Sequence, residues 1–354
     1  MDKPLVTQVC WSLGRAGAER MVFDLAKRLP EQGFDVRVIA AGRGGDMLQD
    51  FHAADIPVAV GPDTRDRRLT LGFLRTRFAA NRPQILHTHL GADIWAGYLA
   101  WRHRIRPWII TAHSAASDDA FLPSLLHALA FRRADRVACV SESVRKFVIT
   151  KYKVREDRAV VIPSGVEIAG TRGRHPFQDV PRLIFVGRLV ASKNLPVLLR
   201  ALAPIKRPWR LEIFGDGPMR NAWERLSEEL GILPRVSFRG QSRDVPSELA
   251  RADLFCFPTQ HEGQGLALFE AAAAGVPAIA SDLPVFREAF DEQSIAFADP
   301  LSPDAWTRAI ERTLDNPHPA LARASVAQRI VSQRYSVARM VRQYADLYRK
   351  LLGR

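Results

Sequence analysis

The stretch "ADLFCFPTQHEGQGLALFEAAAAGVPAIAS", residues 252–281, contains a strand, a loop, a helix and a second strand in succession. Its two ends are apolar runs of the length of buried strands. The alanine-rich run between them predicts a helix that begins after a loop with two glycines. This order of elements is typical of a parallel sheet. The stretch therefore predicts an α/β domain with a loop at the carboxyl end of a buried strand, where such sheets bind ligands.

The same alternation of short apolar runs and amphipathic helical segments continues along the chain. Further strand candidates lie at residues 4–10, 34–40, 84–89, 107–113, 135–141, 182–187, 209–215 and 235–240. Repeated units of this kind predict parallel sheets covered by helices. At 354 residues the chain is long enough for two domains that each bury a core. We therefore expect two α/β domains in tandem.

The expected domain limits follow from a break in this pattern. The segment before residue 182 is rich in glycine and proline and has no apolar period, which is typical of a linker. We predict a first domain at residues 1–167, a linker at 168–181, a second domain at 182–335 and a C-terminal helix at 336–354. The sequence leaves open whether this helix packs back on the first domain.

The net charge of +13 favours a negatively charged partner or surface. Residues 65–82 hold six arginines and one aspartate, with Leu71, Leu74 and Phe78 at helical spacing. Such a helix can lie on an anionic membrane face, or it can be a solvated face over an ordinary core stripe. The arginines that would contact a membrane are Arg67, Arg68, Arg75 and Arg77. A nucleic-acid partner is disfavoured because these arginines are not interleaved with stacking aromatic residues.

The targeting and redox features of the sequence favour the cytoplasm. No apolar run approaches the roughly 18 to 20 residues of a membrane-spanning helix, and the N-terminus lacks a signal-peptide pattern. Cys10, Cys139 and Cys256 all lie in predicted strands. We therefore expect buried apolar thiols and no disulfide or metal set.

Two carboxylates flank the loop and helix entrance of the opening stretch. Glu262 lies in the loop and Glu270 lies one turn inside the helix. A carboxylate can accept hydrogen bonds from vicinal hydroxyls, which sugars and ribose supply. A helix N-terminus suits a phosphate, and Gly263 and Gly265 allow a close approach of the backbone. The spacing therefore predicts a nucleotide sugar along the helix entrance.

Other predicted strand ends carry complementary groups. Gly187, Arg188 and Lys193 follow the first strand of the second domain, and two cations there can neutralise a diphosphate leaving group. Gly215 and Gly17 lie in tight turns after other strands. Each turn alone fits ordinary strand-to-helix geometry, and together they favour a phosphate site.

Histidines are the candidate acid–base groups of the first domain. His113 follows a predicted strand, where neutral imidazole can accept a proton, orient an acceptor hydroxyl or serve a structural role. His87 and His89 have a spacing found in metal sites, but no third ligand is evident. The sequence also has no Asp-x-Asp motif, so we expect a metal-independent reaction in which cations of the protein hold the diphosphate.

Over nearly its full length the chain resembles the retaining GT-B glycosyltransferases of glycosyltransferase family 4. The matching segments are GRAGAER (14–20), TAH (111–113), VSES (140–143), IPSGVE (162–167), VGRLVASKN (186–194), FGDGP (214–218) and Glu262-x7-Glu270. The resemblance implies two Rossmann-like parallel-sheet domains facing across a cleft, with a helical C-terminal tail. It also implies retention of the anomeric configuration.

The same resemblance implies roles for individual residues. Arg188 and Lys193 would bind the donor diphosphate, Glu270 the ribose hydroxyls and Glu262 the donor sugar. The loop at residues 239–243 would bind the base. The implied donor-binding residues are Gly17, Gly187, Arg188, Lys193, Gly215, Arg239, Gly240, Glu262, Gly263, Gln264, Gly265, Leu266, Ala267 and Glu270. The implied catalytic residues are His113, Arg188, Lys193 and Glu262.

We therefore expect a hexosyltransferase that uses a nucleoside diphosphate sugar and no further cofactor. A UDP-sugar is favoured and a GDP-sugar is the second candidate. The expected acceptor is a glycan or glycolipid of cell-envelope polysaccharide or lipopolysaccharide assembly, at the inner face of the cell membrane. Alternatives are a nucleotide-sugar epimerase or a phosphorylase of the same fold, and a basic nucleic-acid-binding protein. The sequence leaves the oligomeric state open.

Overall fold

The computed structural model describes residues 3–64, 66–114, 121–168, 177–242 and 244–353. The chain divides into two compact units, Met1–Gly165 with Val337–Arg354, and Val166–Ser336. Most of the predicted linker, residues 169–176, lies outside the described residues. Each unit has its own hydrophobic core and its own sheet.

The first unit is built on a parallel sheet with strand order β3-β2-β1-β4-β5-β6-β7. Its strands are β1 (Leu5–Cys10), β2 (Asp35–Ala40), β3 (Val58–Val60), β4 (Ile85–His89), β5 (Trp108–Ala112), β6 (Arg136–Cys139) and β7 (Ala159–Val161). Its helices in the first part of the chain are α1 (Gly17–Arg28), α2 (Leu48–Ala53), α3 (Arg67–Ala80), α4 (Ala92–Arg102), α5 (Phe121–Arg133) and α6 (Glu142–Tyr152). β1, β4 and β5 are almost wholly buried, as expected of strands covered by helices on both faces.

The second unit repeats this design with strand order β10-β9-β8-β11-β12-β13, again with parallel pairing. Its strands are β8 (Arg182–Val186), β9 (Arg210–Phe214), β10 (Val236–Gly240), β11 (Leu254–Phe257), β12 (Ala278–Ser281) and β13 (Ala296–Ala298). Its helices are α7 (Leu195–Leu202), α8 (Arg220–Glu229), α9 (Val245–Ala250), α10 (Leu266–Ala273), α11 (Pro284–Arg287), α12 (Pro303–Asp315) and α13 (Pro317–Arg334).

The last helix, α14 (Val337–Leu351), belongs to the first unit although it follows the second in sequence. Val337, Met340, Val341, Tyr344 and Tyr348 form its buried face at the spacing of an amphipathic helix. This face packs into the core cluster that also contains residues of β1 and α1. The chain therefore returns to its first unit to complete that unit's core.

Each predicted strand corresponds to a strand of the structure, and β3, β7 and β13 were not predicted. These three strands are three residues long and lie at the edges of their sheets. A run of three residues is too short to show a period, so their pairing became visible only in the assembled sheet. The prediction that the cysteines are buried thiols is confirmed, because Cys10, Cys139 and Cys256 are free and buried.

Both sheets reverse their strand order at one internal point. In the first sheet β1 lies between β2 and β4, and in the second β8 lies between β9 and β11. The connections from neighbouring strands leave in opposite directions at such a point, which opens a crevice at the carboxyl ends of the strands. The loops after β8 and β11 in the second unit, and after β1 and β4 in the first, are therefore the expected positions of ligand-binding groups.

Candidate active site

Lys193 and Glu262 form an ion pair where the loops after β8 and β11 meet. Their side chains are 18% and 10% exposed, so the pair is largely removed from water yet still reachable by a ligand. The Lys193 ammonium also lies 5.4 Å from the centre of the Phe257 ring. The structure therefore brings together the predicted phosphate-binding lysine and the predicted sugar-binding carboxylate at the reversal point of the second sheet.

Backbone hydrogen bonds hold these two loops together. The carbonyl oxygen of Ser192 accepts bonds from the Gln260 amide at 2.8 Å and from the Thr259 hydroxyl at 3.1 Å. Asn194 adopts a left-handed conformation with φ of 48°, and its side-chain amide donates to Pro300 O at 2.6 Å. These contacts fix Lys193 within its short turn, so the cation is positioned before any ligand binds.

The turn after β8 presents Arg188 to solvent. The amide of Gly187 donates to Phe214 O at 2.9 Å, and Arg188 follows as an exposed side chain. Gly215 has a φ of 131°, and a Cβ there would collide with the carbonyl oxygen of Gly187. The glycine therefore lets the turns after β8 and β9 pack backbone against backbone. Arg188 has no ion pair among the described residues, which leaves its charge available to an anion.

The entrance of α10, where the sequence predicts a phosphate site, begins at a glycine. Its N-cap residue is Gly265, with φ of 83° and no side-chain capping bond. A Cβ at this position would lie 2.5 Å from the Phe286 ring, so space as well as conformation requires glycine. Gly263 and Gln264 are buried, whereas Leu266, Ala267 and Glu270 are half-buried. The first turn of α10 thus lacks a side-chain cap that would compete with a ligand for its N–H groups.

Arg239 and Gly240, the last two residues of β10, have different surroundings. The carbonyl oxygen of Gly240 accepts a bond from the Gly215 amide at 2.7 Å, which joins it to the turns of the site. The Arg239 side chain is exposed and borders a separate open cavity of about 400 Å³. The other residues around this cavity are Gln178, Arg182, Arg210, Glu212, Glu248 and Arg251. None of these belongs to the predicted donor site. Arg243 lies outside the described residues.

Two of the predicted site residues, Gly17 and His113, lie in the first unit. Gly17 is exposed at the first position of α1, whose N-cap residue Ala16 makes no side-chain capping bond. His113 follows β5 and is half-buried, and its Nε2 atom lies 3.2 Å from Nδ1 of the fully buried His89. In β4 and β5, His89 pairs with Thr111, so the register of the sheet places the two histidines at neighbouring strand ends.

His87 and its hydrogen-bond partners form a buried polar network next to His89. His87 Nε2 lies 2.7 Å from the Thr111 hydroxyl, and His87 Nδ1 lies 2.7 Å from the Tyr348 hydroxyl of α14. The Tyr344 hydroxyl lies 2.8 Å from the same threonine oxygen. The rings of His87 and His89 lie 4.1 Å apart. The tail helix therefore fixes the strand that carries His89.

Burial lowers the pKa of each of these histidines. It lowers the pKa of His87 to about 3 and that of His113 to about 4, and it lowers the pKa of His89 well below its ordinary value. The cause is desolvation, which penalises the charged imidazolium, and the neighbouring histidines add to it at His87 and His89. All three rings are therefore neutral near pH 7.

Sequence reasoning missed His89 as a partner of His113 and Phe257 as a neighbour of Lys193. The spacing of His87 and His89 predicts a metal pair and gives no hint of a contact with His113. The signal for that contact is that His89 and His113 both end predicted strands. In the described ranges of the chain, no group of three or more His, Cys, Asp or Glu residues is arranged to hold a metal ion.

Helix α3 carries the predicted basic cluster. Asp66 caps it by accepting a bond from the Arg68 amide at 2.8 Å, and Leu74 and Phe78 are buried beneath it. The four predicted membrane-contacting arginines are exposed: Arg67, Arg68, Arg75 and Arg77. The helix is thus amphipathic as predicted, with its apolar stripe in the core.

Two family models match adjoining parts of the chain. The model described as Glycosyltransferase Family 4 matches residues 15–169, and the model described as Glycosyl transferases group 1 matches residues 171–330. The D-inositol 3-phosphate glycosyltransferase of Salinispora tropica is 27% identical over 95% of this chain and 81% of its own. The alpha-monoglucosyldiacylglycerol synthase of Streptococcus pneumoniae is 27% identical over 78% of this chain and 70% of its own.

Solved structures show the same fold. The crystal structure of Anabaena HepE in complex with UDP-glucose has a TM-score of 0.87 and 20% identity, covering 98% of this chain and all of that one. At this identity the likeness concerns the fold, and it confirms the predicted fold class of two Rossmann-like domains with a helical tail.

Proposed function

Because the chain belongs to the GT-B glycosyltransferases of family 4, we propose that it transfers a hexose from a nucleoside diphosphate sugar to an acceptor hydroxyl with retention of configuration. The observation that carries the proposal is the Lys193–Glu262 pair at the entrance of α10. A cation, a carboxylate and uncapped helical N–H groups are the three kinds of group that a sugar diphosphate needs.

Arg188 and Lys193 stabilise the diphosphate as it leaves. Negative charge on the leaving group grows as the bond to the sugar breaks, so cations held in place beforehand favour the transition state over the ground state. Lys193 is held by its turn and by Glu262, and Arg188 is exposed and can close on the ligand. The proposed reaction assigns this charge to residues of the chain and uses no metal.

Glu262 and Glu270 bind hydroxyls of the donor in this proposal. Glu262 contacts the sugar and Glu270 the ribose, with the phosphates at Gly263 to Ala267 between them. Since Glu262 is paired with an ammonium, its carboxylate is a poorer nucleophile than a free one. We therefore favour attack of the acceptor on the face from which the diphosphate leaves, without a covalent intermediate on Glu262. The bond from the sugar carbon to the diphosphate oxygen breaks, the acceptor oxygen bonds to that carbon, and the hydroxyl proton passes to the departing diphosphate oxygen.

A UDP-sugar is the proposed donor, with a GDP-sugar as the alternative. The support comes from structures with the same fold that hold UDP or UDP-glucose. Gly240 is the proposed neighbour of the base because its carbonyl joins β10 to the turn at Gly215. Arg239, which borders the separate cavity, would have to reorient to contact the base.

The proposed acceptor is a glycolipid or membrane-bound glycan of the cell envelope. Support comes from a surface formed by α3, α4 and α5, here named the α3–α5 face. These helices expose Leu69, Tyr98, Trp101 and Leu125 as well as the four arginines of α3. Arg133 lies 5.3 Å from the centre of the Trp101 ring. Arginines and amphipathic aromatic rings together suit an anionic bilayer interface. No helix in the described part of the chain is long and apolar enough to cross a bilayer.

Release of nucleoside diphosphate from a panel of UDP-, GDP- and ADP-sugars tests the proposed reaction. We expect one donor to be turned over faster when membrane lipid extract is added, and Glu270→Ala to abolish that release because the ribose loses its carboxylate partner. Glu229→Ala, an exposed glutamate of α8, is the matched control and should leave release unchanged. Conversion of the donor without any acceptor would instead favour an epimerase, and release that needs inorganic phosphate would favour a phosphorylase.

Flotation with anionic vesicles tests the α3–α5 face. Replacing Arg67, Arg68, Arg75 and Arg77 by glutamine should weaken vesicle binding at least about tenfold, because each basic residue near the surface contributes about 1 kcal/mol. The control replaces four exposed arginines of the second unit, Arg200, Arg225, Arg308 and Arg329, and changes net charge equally. Equal losses in both variants would mean that net charge, and not this face, attracts the protein. Salt-sensitive binding of DNA in place of vesicles would support the nucleic-acid alternative.

A further inference from the structure

His89 contacts His113 and has one ring nitrogen left over. Its Nδ1 atom lies 3.2 Å from His113 Nε2, and its ring is fully buried. The other nitrogen, His89 Nε2, is buried without a hydrogen-bond partner among the residues that the structure describes. Whether this nitrogen carries a proton determines which of the two histidines donates the hydrogen bond between them.

Two proton arrangements are compatible with neutral rings. If His113 Nε2–H donates to His89 Nδ1, the proton of His89 must sit on Nε2 and form a buried N–H group with no acceptor. If His89 Nδ1–H donates, His89 Nε2 is a bare acceptor. Buried N–H donors without a partner are rarer and less tolerated than under-used acceptors. The second arrangement is therefore favoured, and it places the proton of His113 on Nδ1.

We propose that His89 is a positioning residue that holds His113 in the tautomer with its proton on Nδ1. This inference rests on the proposed transfer reaction and on His113 as the group that meets the acceptor. His113 then donates a hydrogen bond from Nδ1 to an oxygen of the acceptor. It cannot take the hydroxyl proton at that atom without first losing its own, so it orients the acceptor and is not the resting general base.

The surroundings of His89 keep its ring in this orientation. The His87 ring lies 4.1 Å away and is bonded at both nitrogens, to Thr111 and to Tyr348. His87 therefore cannot turn to offer His89 another partner without breaking two buried hydrogen bonds, which costs free energy. Contacts among β4, β5 and α14 therefore fix which histidine donates the His89–His113 hydrogen bond.

Long-range proton–nitrogen NMR of the side chains, with histidine labelled by ¹⁵N, reads the tautomer directly at pH 7.5. The His113 signals are identified by their loss in His113→Gln. We expect Nδ1 of His113 to carry the proton in the intact protein, and His89→Leu to shift His113 towards the other tautomer. A proton on Nε2 of His113 in the intact protein, or the same tautomer in His89→Leu, would overturn the proposal. Because this NMR measurement needs no enzymatic activity, its outcome can be distinguished from a failure of the proposed function.

Kinetics with paired variants separate positioning from packing. The side-chain amide of asparagine can place an N–H near the position of His89 Nδ1, so His89→Asn should keep kcat within about fivefold, whereas His89→Leu should lower kcat about 10- to 100-fold. The KM for the donor should stay unchanged in both. Exposed His103→Leu is the control for loss of a histidine. Equal loss in His89→Asn and His89→Leu, at matched thermal stability, would contradict a donated hydrogen bond.

Discussion

Replacement of Lys193 by alanine is expected to lower turnover by roughly 30- to 1,000-fold, equivalent to about 2–4 kcal/mol of barrier. The ammonium lies at the reversal point of the second sheet and is paired with Glu262, and Ser192 O accepts the hydrogen bonds that tie its turn to the loop after β11. Because it is already in place, it stabilises the leaving diphosphate without reorganisation. Removing it also leaves the Glu262 carboxylate largely buried without its cation.

Steady-state release of nucleoside diphosphate, with the binding constant of the nucleotide product, measures this effect. Lys193→Arg retains a charge and should lose less activity than Lys193→Ala. Arg200→Ala, an exposed cation of the neighbouring helix α7, is the matched control and should behave like the unmodified protein. Thermal unfolding of each variant checks that the second unit is folded. Near-normal turnover by folded Lys193→Ala would rule out this role for Lys193.

Acidification should destabilise the first unit well before most carboxylates are protonated. Histidines in an unfolded chain have a pKa near 6.5, whereas burial lowers the pKa of His113 to about 4 and that of His87 to about 3. Below pH 6.5 the unfolded state therefore binds more protons than the folded state, and the free energy of unfolding falls as pH falls. At pH 5 His87 and His113 should each have cost about 2 kcal/mol, or about 4 kcal/mol together, and His89, whose pKa burial also lowers, adds to this loss.

One buried group of the same unit works in the opposite direction. Burial raises the pKa of the Asp93 carboxyl, so the folded state binds a proton there before the unfolded state does. Acid therefore adds stability through this group in the window between its unfolded pKa and its raised pKa. The gain in stability from the Asp93 carboxyl opposes the losses from three histidines. Acid is therefore still expected to lower the stability of the first unit.

Amide hydrogen exchange of β4 and β5 at pH 7.5, 6 and 5, corrected for intrinsic exchange, measures the stability of this unit. Protection should fall steeply towards pH 5, and His87→Leu should reduce the pH dependence by about one proton. His103→Gln removes an exposed histidine and should leave the pH dependence as it is. Protection that is the same at pH 7.5 and pH 5 would show that these rings do not have to be neutral in the fold.

Local pattern was enough to predict the two parallel sheets. β8 and β11 are largely apolar runs, β1 and β4 mix apolar with polar residues, and each forms close to its predicted position. The edge strands β3, β7 and β13 carried no such pattern because three residues cannot show a period. Whether a short segment pairs depends on the edge beside it, which the local sequence does not contain.

By itself the sequence determined that this chain forms two α/β units and that glycines, cations and carboxylates lie at the carboxyl ends of their strands. These features follow from period and spacing within short segments. Only the tertiary structure decided that Lys193 meets Glu262, 69 residues away, and that His89 meets His113. It also decided that α14 completes the core of the first unit. Such contacts depend on strand order, register and packing, because these bring residues that are far apart in sequence within bonding distance.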